Sequence, residues 1–212
     1  MPLLEDISSA VQRGKKKEVV PLVQQAVDEG VEPVEILNTG LIDAMSIIGD
    51  KFSRNEVFVP EMLVAARAMA AGTAILKPLL AEEGAKPLGK AVIGTVKGDM
   101  HDIGKNLVRM MLEGKGIEVD DLGVDVAPET FVEYVQAHPD CQIVCCSALL
   151  TTTMPMIGEV VKALEEAGVR DQVKIMIGGA PVTQSFCDEV KADCYTPDAG
   201  TAAVAAAQIL AA

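Results

Sequence analysis

Tryptophan is absent from this 212-residue chain, and its aromatics are limited to four Phe and two Tyr. Any core must therefore be built from Ala, Val, Ile, Leu and Met, which suits helices and parallel strands better than an all-β sandwich. Positive charge is also scarce: 18 Lys and Arg stand against 31 Asp and Glu, a formal net charge of −13. Such a surface repels a phosphate backbone and argues against nucleic acid as a partner. No uninterrupted apolar run reaches the roughly eighteen residues of a transmembrane helix, so no membrane partner is expected. The first residues, MPLLEDISSAVQRGKKK, place apolar before basic, the reverse of a secretory signal, and a cytoplasmic location is expected. The five cysteines, Cys141, Cys145, Cys146, Cys187 and Cys194, are odd in number and fit no zinc spacing. They are expected to be reduced and buried as small apolar residues. Histidine is the rarest chemical group, with His101 and His138 alone.

Half of the residues are hydrophobic, enough for one large domain or two small ones. The chain changes character near residue 85. Before it, apolar residues recur at helical spacing: Leu3, Leu4, Ile7, Ala10 and Val11, then Val19, Val20, Val23, Ala26 and Val27. Pro33 opens a third helix carrying Ile36, Leu37, Leu41, Met45 and Ile48. Pro60 opens a fourth with Met62, Leu63, Ala66, Met69 and Ala70. Residues 1–84 are thus expected to form a four-helix bundle. The stretch Glu83–Gly89 mixes Gly, Pro and charge, and residues 85–89 are assigned as a linker, with Gly84–Gly89 a candidate hinge.

From residue 90 to 212 strand and helix alternate. Strands are expected at 90–96, 117–121, 142–147, 173–178 and, weakly, 192–195. Helices are expected at 103–113, 128–137, up to about 168, 181–190 and in the Ala-rich C-terminus. This is an α/β pattern, a five-stranded parallel sheet of flavodoxin or Rossmann-like type with order 2-1-3-4-5. Ligands of such sheets sit beyond the carboxyl ends of the strands, so unusual residues should cluster after strands one, three and four.

After strand one stands Lys97-Gly98-Asp99-Met100-His101-Asp102-Ile103-Gly104. A loop histidine at a strand end, with an Asp two residues before it, is placed to ligate a metal. The Asp can hold the other ring nitrogen and set the tautomer. From these residues alone, a solvated loop histidine is equally compatible. A metal phosphohydrolase would need more histidines, and His138, before Pro139, reads as a surface loop residue. A zinc site would need several cysteines near His101, but Cys145 and Cys146 alternate in a strand and point to opposite faces.

The string VKGDMHDIGKN (96–106) contains Asp-x-His-x-x-Gly and closely resembles the cobalamin domain of methionine synthase. Ser147-Ala148-Leu149 matches the Ser-x-Leu of that family, and Gly178-Gly179 its Gly-Gly. All three follow an assigned strand. With the helical bundle before it, the chain resembles the small corrinoid methyl-carrier proteins of methanol, methylamine and betaine methyltransferase systems. The resemblance implies a cobalamin or other corrinoid cofactor, used as methylcobalamin and cob(I)alamin. It also implies His101 as axial cobalt ligand and a relay of Asp99, His101 and Thr153 that takes up a proton when the ligand is released. Met100, Asp102 and Ile103 complete the cofactor loop. The displaced nucleotide tail would run past Gly94, Gly104, Gly178 and Gly179, with hydroxyls from Ser147 and Thr151 and packing from Leu149. Phe58, Met62, Ala66 and Met69 are candidates to cap the corrin, although a Met/Ala stripe reads equally as bundle core.

The implied role is that of a methyl carrier in one-carbon metabolism, not catalytic by itself. Its implied partners are a substrate-specific methyltransferase, a second methyltransferase acting on tetrahydrofolate or coenzyme M, and a reductive activation protein. An adenosylcobalamin-dependent mutase subunit, a cobalamin sensor and a cofactor-free flavodoxin-like domain are the competing readings. The helical cap disfavours the first, and the lack of an output module within the 212 residues disfavours the second.

Overall fold

The computed structural model describes residues 2–82 and 86–211. It divides into two compact units, residues 1–86 and 87–212, apart from the three-residue turn Gly114–Gly116. Gly84 and Ala85 of the expected linker lie outside the described residues.

In the first unit α1 (Pro2–Gln12) and α2 (Lys16–Asp28) are followed by a rod made of three segments. These are α3 (Pro33–Glu35), a π-helical stretch (Ile36–Ile42) and α4 (Asp43–Ser53). The wider π turn falls where Asn38, Thr39 and Gly40, all poor helix formers, follow one another. A fourth rod, α5 (Val59–Glu82), packs against α2 and α4. Most of the expected apolar stripes face inward: Leu4, Ile7, Val11, Val19, Val23, Leu41, Met45, Met62 and Met69 are buried. Val20 and Ala70 of those stripes are exposed.

One expectation needs correction here. Val59–Leu80, within α5, is long and apolar enough to cross a membrane by length and composition. Glu61, Arg67 and Lys77 interrupt its apolar run without making the helix polar. In the bundle Met62, Ala65, Ala68 and Leu76 of this helix are buried, so it serves as a core helix.

The second unit is a five-stranded sheet. Its strands are β1 (Lys90–Thr95), β2 (Glu118–Asp121), β3 (Cys141–Ser147), β4 (Lys174–Gly178) and β5 (Cys194–Tyr195), in the order β2-β1-β3-β4-β5. All neighbours are parallel. The crossover helices are α6 (Ile103–Glu113), α7 (Pro128–Ala137), α8 (Pro155–Glu166) and α9 (Gln184–Glu189), and α10 (Ala199–Ala211) closes the chain. The central strands are buried on both faces, which accounts for their continuous apolar runs. Order and strand number agree with the sequence expectation. The ninth helix starts three residues later than Pro181, because Thr183 caps it: its side chain accepts the Phe186 amide.

Three residues behave differently from expectation. Gly94 leaves no open channel, since a Cβ there would lie 2.7 Å from Cζ of Phe131, which fills the space as core. His138 is half-buried, stacked on Tyr134 with ring centroids 4.0 Å apart and Nδ1 2.9 Å from the Tyr134 carbonyl oxygen. Gly89 is no free linker residue; a Cβ would press on Leu210 at 2.5 Å and Gln142 at 2.6 Å, so the chain is already anchored there.

All five thiols are free, and four are buried; Cys194, on the edge strand, is only half-buried. Burial pushes the Cys141 thiol up to about 11 and that of Cys146 up to about 12, and it raises Cys145 further still. At pH 8 these groups are neutral and covered. Iodoacetamide should therefore modify Cys194 first in the folded protein, with Cys141, Cys145 and Cys146 labelled only after denaturation. Peptide mass mapping checks this order.

Candidate functional site

The carboxyl ends of β1, β3 and β4 lie side by side, with Thr95 beside Ser147 and Ser147 beside Gly178 in register. The loops leaving these ends carry the three sequence signatures. Asp99 is the hub. It is fully buried, yet it is charged, because five donors surround it. Oδ1 accepts the His101 amide at 3.0 Å and its ring Nδ1 at 2.7 Å. Oδ2 accepts the Leu149 amide at 2.7 Å, the Leu150 amide at 3.4 Å and the Thr153 hydroxyl at 2.7 Å. Burial opposes ionisation of this carboxyl. The hydrogen bonds from Thr153, Leu149 and His101 outweigh burial and hold it well below the usual carboxylate range. An ionised acceptor at 2.7 Å requires Nδ1 of His101 to carry the proton. In the neutral imidazole the lone pair is then on Nε2.

The His101 side chain is 50% exposed, and with Nδ1 held by the buried Asp99 the Nε2 edge of the ring is the part left accessible to a ligand. Its neighbours are apolar and exposed: Met100 at 68% and Ile103 at 75% flank it in sequence, and Leu149 and Leu150 share Asp99 with it. The structure thus brings Asp99, Met100, His101, Ile103, Leu149 and Thr153 together. Asp102 is exposed and accepts Nδ2 of Asn106 at 3.1 Å, so it supports the start of α6. Ser147 is half-buried and Thr151 exposed, both on the segment leaving β3. Phe58 is exposed, whereas Met62, Ala66 and Met69 are buried.

The glycines divide into two kinds. A Cβ on Gly104 would meet nothing within 4 Å, and one on Gly178 would meet only the Thr196 carbonyl at 3.7 Å, so both border open space. Gly179 has φ +136° and crosses directly over the Ala148 carbonyl oxygen, where no Cβ fits. Gly179→Ala should therefore destabilise the domain by roughly 1–3 kcal/mol. Gly104→Ala should leave the melting temperature unchanged or slightly raised, while lowering affinity for any ligand that lies over it. Thermal melts with a ligand titration separate the two.

Three further contacts escaped the sequence reading. Thr95 is fully buried and its hydroxyl donates to the His101 carbonyl at 2.8 Å. Lys105, 2% exposed, is paired with Asp121, its Nζ 2.6 Å from Oδ1. Asp125, at φ 56°, bonds the His101 loop through both its side chain and its backbone. Lys105 was legible as a charge on the apolar face of an amphipathic helix. Thr95 and Asp125 had no periodic signal.

Among the described residues no group of three or more His, Cys, Asp or Glu could hold a bare metal ion. A single presented imidazole suits a metal that arrives with its other ligands already attached, inside a planar apolar-edged cofactor. Comparison with known proteins agrees. Residues 89–208 match the family model described as B12 binding domain, and residues 3–77 match a second model of the same description. The chain is 43% identical over 211 residues to a dimethylamine corrinoid protein of Methanosarcina barkeri, covering 99% of this chain and 98% of that one. A methanol:cobalamin methyltransferase complex of Methanosarcina barkeri superposes with a TM-score of 0.87 at 31% identity, covering 99% of this chain and 80% of that chain. A cobalamin-binding protein of Desulfitobacterium hafniense superposes with a TM-score of 0.81 at 30% identity, covering 97% and 98%. This chain belongs to the corrinoid-protein family, each of its halves being a B12-binding domain.

Proposed function

We propose that the chain carries a methyl group on a corrinoid, with His101 as the protein ligand of the cobalt, between two methyltransferases. The observation that carries the reading is the half-exposed imidazole of His101 held through Nδ1 on the fully buried Asp99. When bound, the corrinoid supplies a cobalt centre that accepts a methyl group from a donor and passes it to an acceptor. The protein supplies position. Asp99 fixes the tautomer, and Thr153 and the Leu149 amide hold Asp99. Met100, Ile103 and Leu149 offer an apolar bed for the cofactor, while Gly104 and Gly178 keep side chains out of the path of its tail and Gly179 allows the close crossing over Ala148 beside it. Ser147 and Thr151 offer hydroxyls along that path. Phe58, the exposed member of the cap set, is the one available to shield the cofactor, with Met62, Ala66 and Met69 behind it as helix core.

The donor-side partner is a substrate-specific methyltransferase. Methylated amines are the donor class to test first, given the dimethylamine corrinoid relative. The acceptor side is a methyltransferase acting on tetrahydrofolate or coenzyme M, and a reductive activation protein restores inactive cofactor. The cytosol is the fitting compartment, since all five thiols are free. The experiment reconstitutes the protein with hydroxocobalamin, desalts it, and assays methyl transfer with amine, methanol and betaine methyltransferases. Retained red colour and turnover with one donor class support the reading. A colourless protein after desalting refutes it.

A further inference from the structure

The ligand loop is clamped from outside its own signature. Residues 122–127, between β2 and α7, run alongside it. The Thr95 amide donates to the Gly123 carbonyl at 3.0 Å, and the Val126 amide donates to the Thr95 carbonyl at 2.9 Å. Val96 and Val126 form a parallel bridge. Within this ladder Asp125 adopts φ 56°, a left-handed conformation that only Gly, Asn and Asp accept readily. That geometry lets one residue make two opposed contacts. Oδ1 of Asp125 accepts the Gly98 amide at 2.7 Å, and the Asp125 amide donates to the Asp99 carbonyl at 2.9 Å. Gly98 itself sits at φ 82°. The two contacts bracket the peptide units on either side of the Gly98–Asp99 junction. They fix the backbone from which the Asp99 carboxylate reaches His101.

The contacts of Asp99 with His101 and Thr153 set the imidazole tautomer but do not anchor the loop backbone at Gly98. Asp125 does. We infer that Asp125 is a positioning residue for the axial ligand: its side chain and backbone together hold the Gly98–Asp99 turn so that Nε2 of His101 keeps its direction. The inference rests on the corrinoid reading for its consequence, but the clamp itself is a property of the apoprotein.

Side chains at position 125 separate this role from fold. Asparagine keeps the Oδ1 acceptor and tolerates the left-handed backbone. Glycine and alanine both remove the acceptor, the first adding backbone freedom and the second strain. In the apoprotein, nitrogen NMR reads the Nδ1–H tautomer population of His101, and amide exchange reads the Gly98 N–H. In the loaded protein, the absorption spectrum reads the ratio of His-ligated to unligated hydroxocobalamin.

Asp125→Asn should match the native protein in all three. Asp125→Gly and Asp125→Ala should each speed Gly98 exchange and lower the ligated ratio, by up to about tenfold, the upper end expected for losing one ordinary hydrogen bond. Native values in both Gly and Ala variants would overturn the inference, as would an Asn variant as impaired as they are. Should the native protein bind no hydroxocobalamin, the corrinoid reading fails, while the apoprotein exchange and tautomer data still decide the clamp.

Discussion

His101→Ala protein, loaded with hydroxocobalamin and desalted, is expected to stay red while losing the spectrum of a histidine-ligated cobalt. The two properties separate because different groups carry them. The proposed tail path runs past Gly104 and Gly178, the Ser147 and Thr151 hydroxyls and Leu149, none of which changes. The proposed axial ligand is one half-exposed side chain whose removal leaves no cavity in the core. Its loss does free one oxygen of Asp99, since Oδ1 keeps the backbone amide of residue 101 but loses the Nδ1 donor. Water can reach that oxygen through the vacated half-exposed position, so the stability cost should stay within about 1–2 kcal/mol. Methyl transfer should fall far more, by about two orders of magnitude or beyond, the scale seen when groups around a metal are lost. Imidazole added in solution should restore part of the ligated spectrum. A spectrum identical to that of the native protein would remove His101 as the ligand.

Asp99→Asn is expected to be the most damaging conservative change in the molecule. The carboxylate accepts on both oxygens, whereas an amide accepts on one and donates on the other. If the amide oxygen faces His101, the NH2 group opposes the Leu149 and Leu150 amides, which then have no acceptor. If it faces Leu149 and Thr153, the NH2 group meets Nδ1 of His101 and drives the imidazole to the Nε2–H tautomer, which cannot ligate a metal. Either arrangement leaves a buried donor unpaired, at about 1–3 kcal/mol. The affinity of His101 for cobalt should fall roughly 10–100-fold, as for other lost partners of a metal-ligating histidine. The depressed carboxyl also fixes a sign for pH. Because Asp99 is held below its ordinary value of 3.8 in the fold, its contribution to stability is full above that value. It is lost as pH falls toward the folded value. Acid melts of the native protein should show that loss, and Asp99→Asn should start lower and flatten the acid limb. A variant with native ligation and an unchanged acid limb would contradict the role assigned to Asp99.

Much of this protein is written in its one-dimensional pattern. The helical stripes of the first unit, the apolar runs of β1, β3 and β4 and the strand order follow from periodicity, because burial on one face or on two leaves different repeats. The site edge followed as well, since parallel strands gather their carboxyl ends on one side. The order of the elements alone therefore puts His101, Asp99 and the glycine pair at one sheet edge. Thr153 was legible only through resemblance, fifty-four residues from the carboxylate it meets.

Other features belong to the tertiary structure alone. Gly94 reads as open space in sequence, but Phe131, on a different crossover helix, fills it. His138 reads as a surface residue, yet one helical turn places it on the ring of Tyr134. The charges Glu61, Arg67 and Lys77 interrupt the apolar pattern of α5, and its place in a bundle core depends on what packs around it. Asp125 is the clearest case. Its role depends on a left-handed turn and on one amide and one carbonyl of another loop, and neither hydrophobic pattern nor composition encodes a contact between a carboxylate and a backbone amide twenty-seven residues apart. The sequence by itself determined which strands meet and which residues stand at their ends. Only the folded chain decided which of those residues are rigid, because rigidity here comes from hydrogen bonds between segments that approach one another only when the sheet is formed.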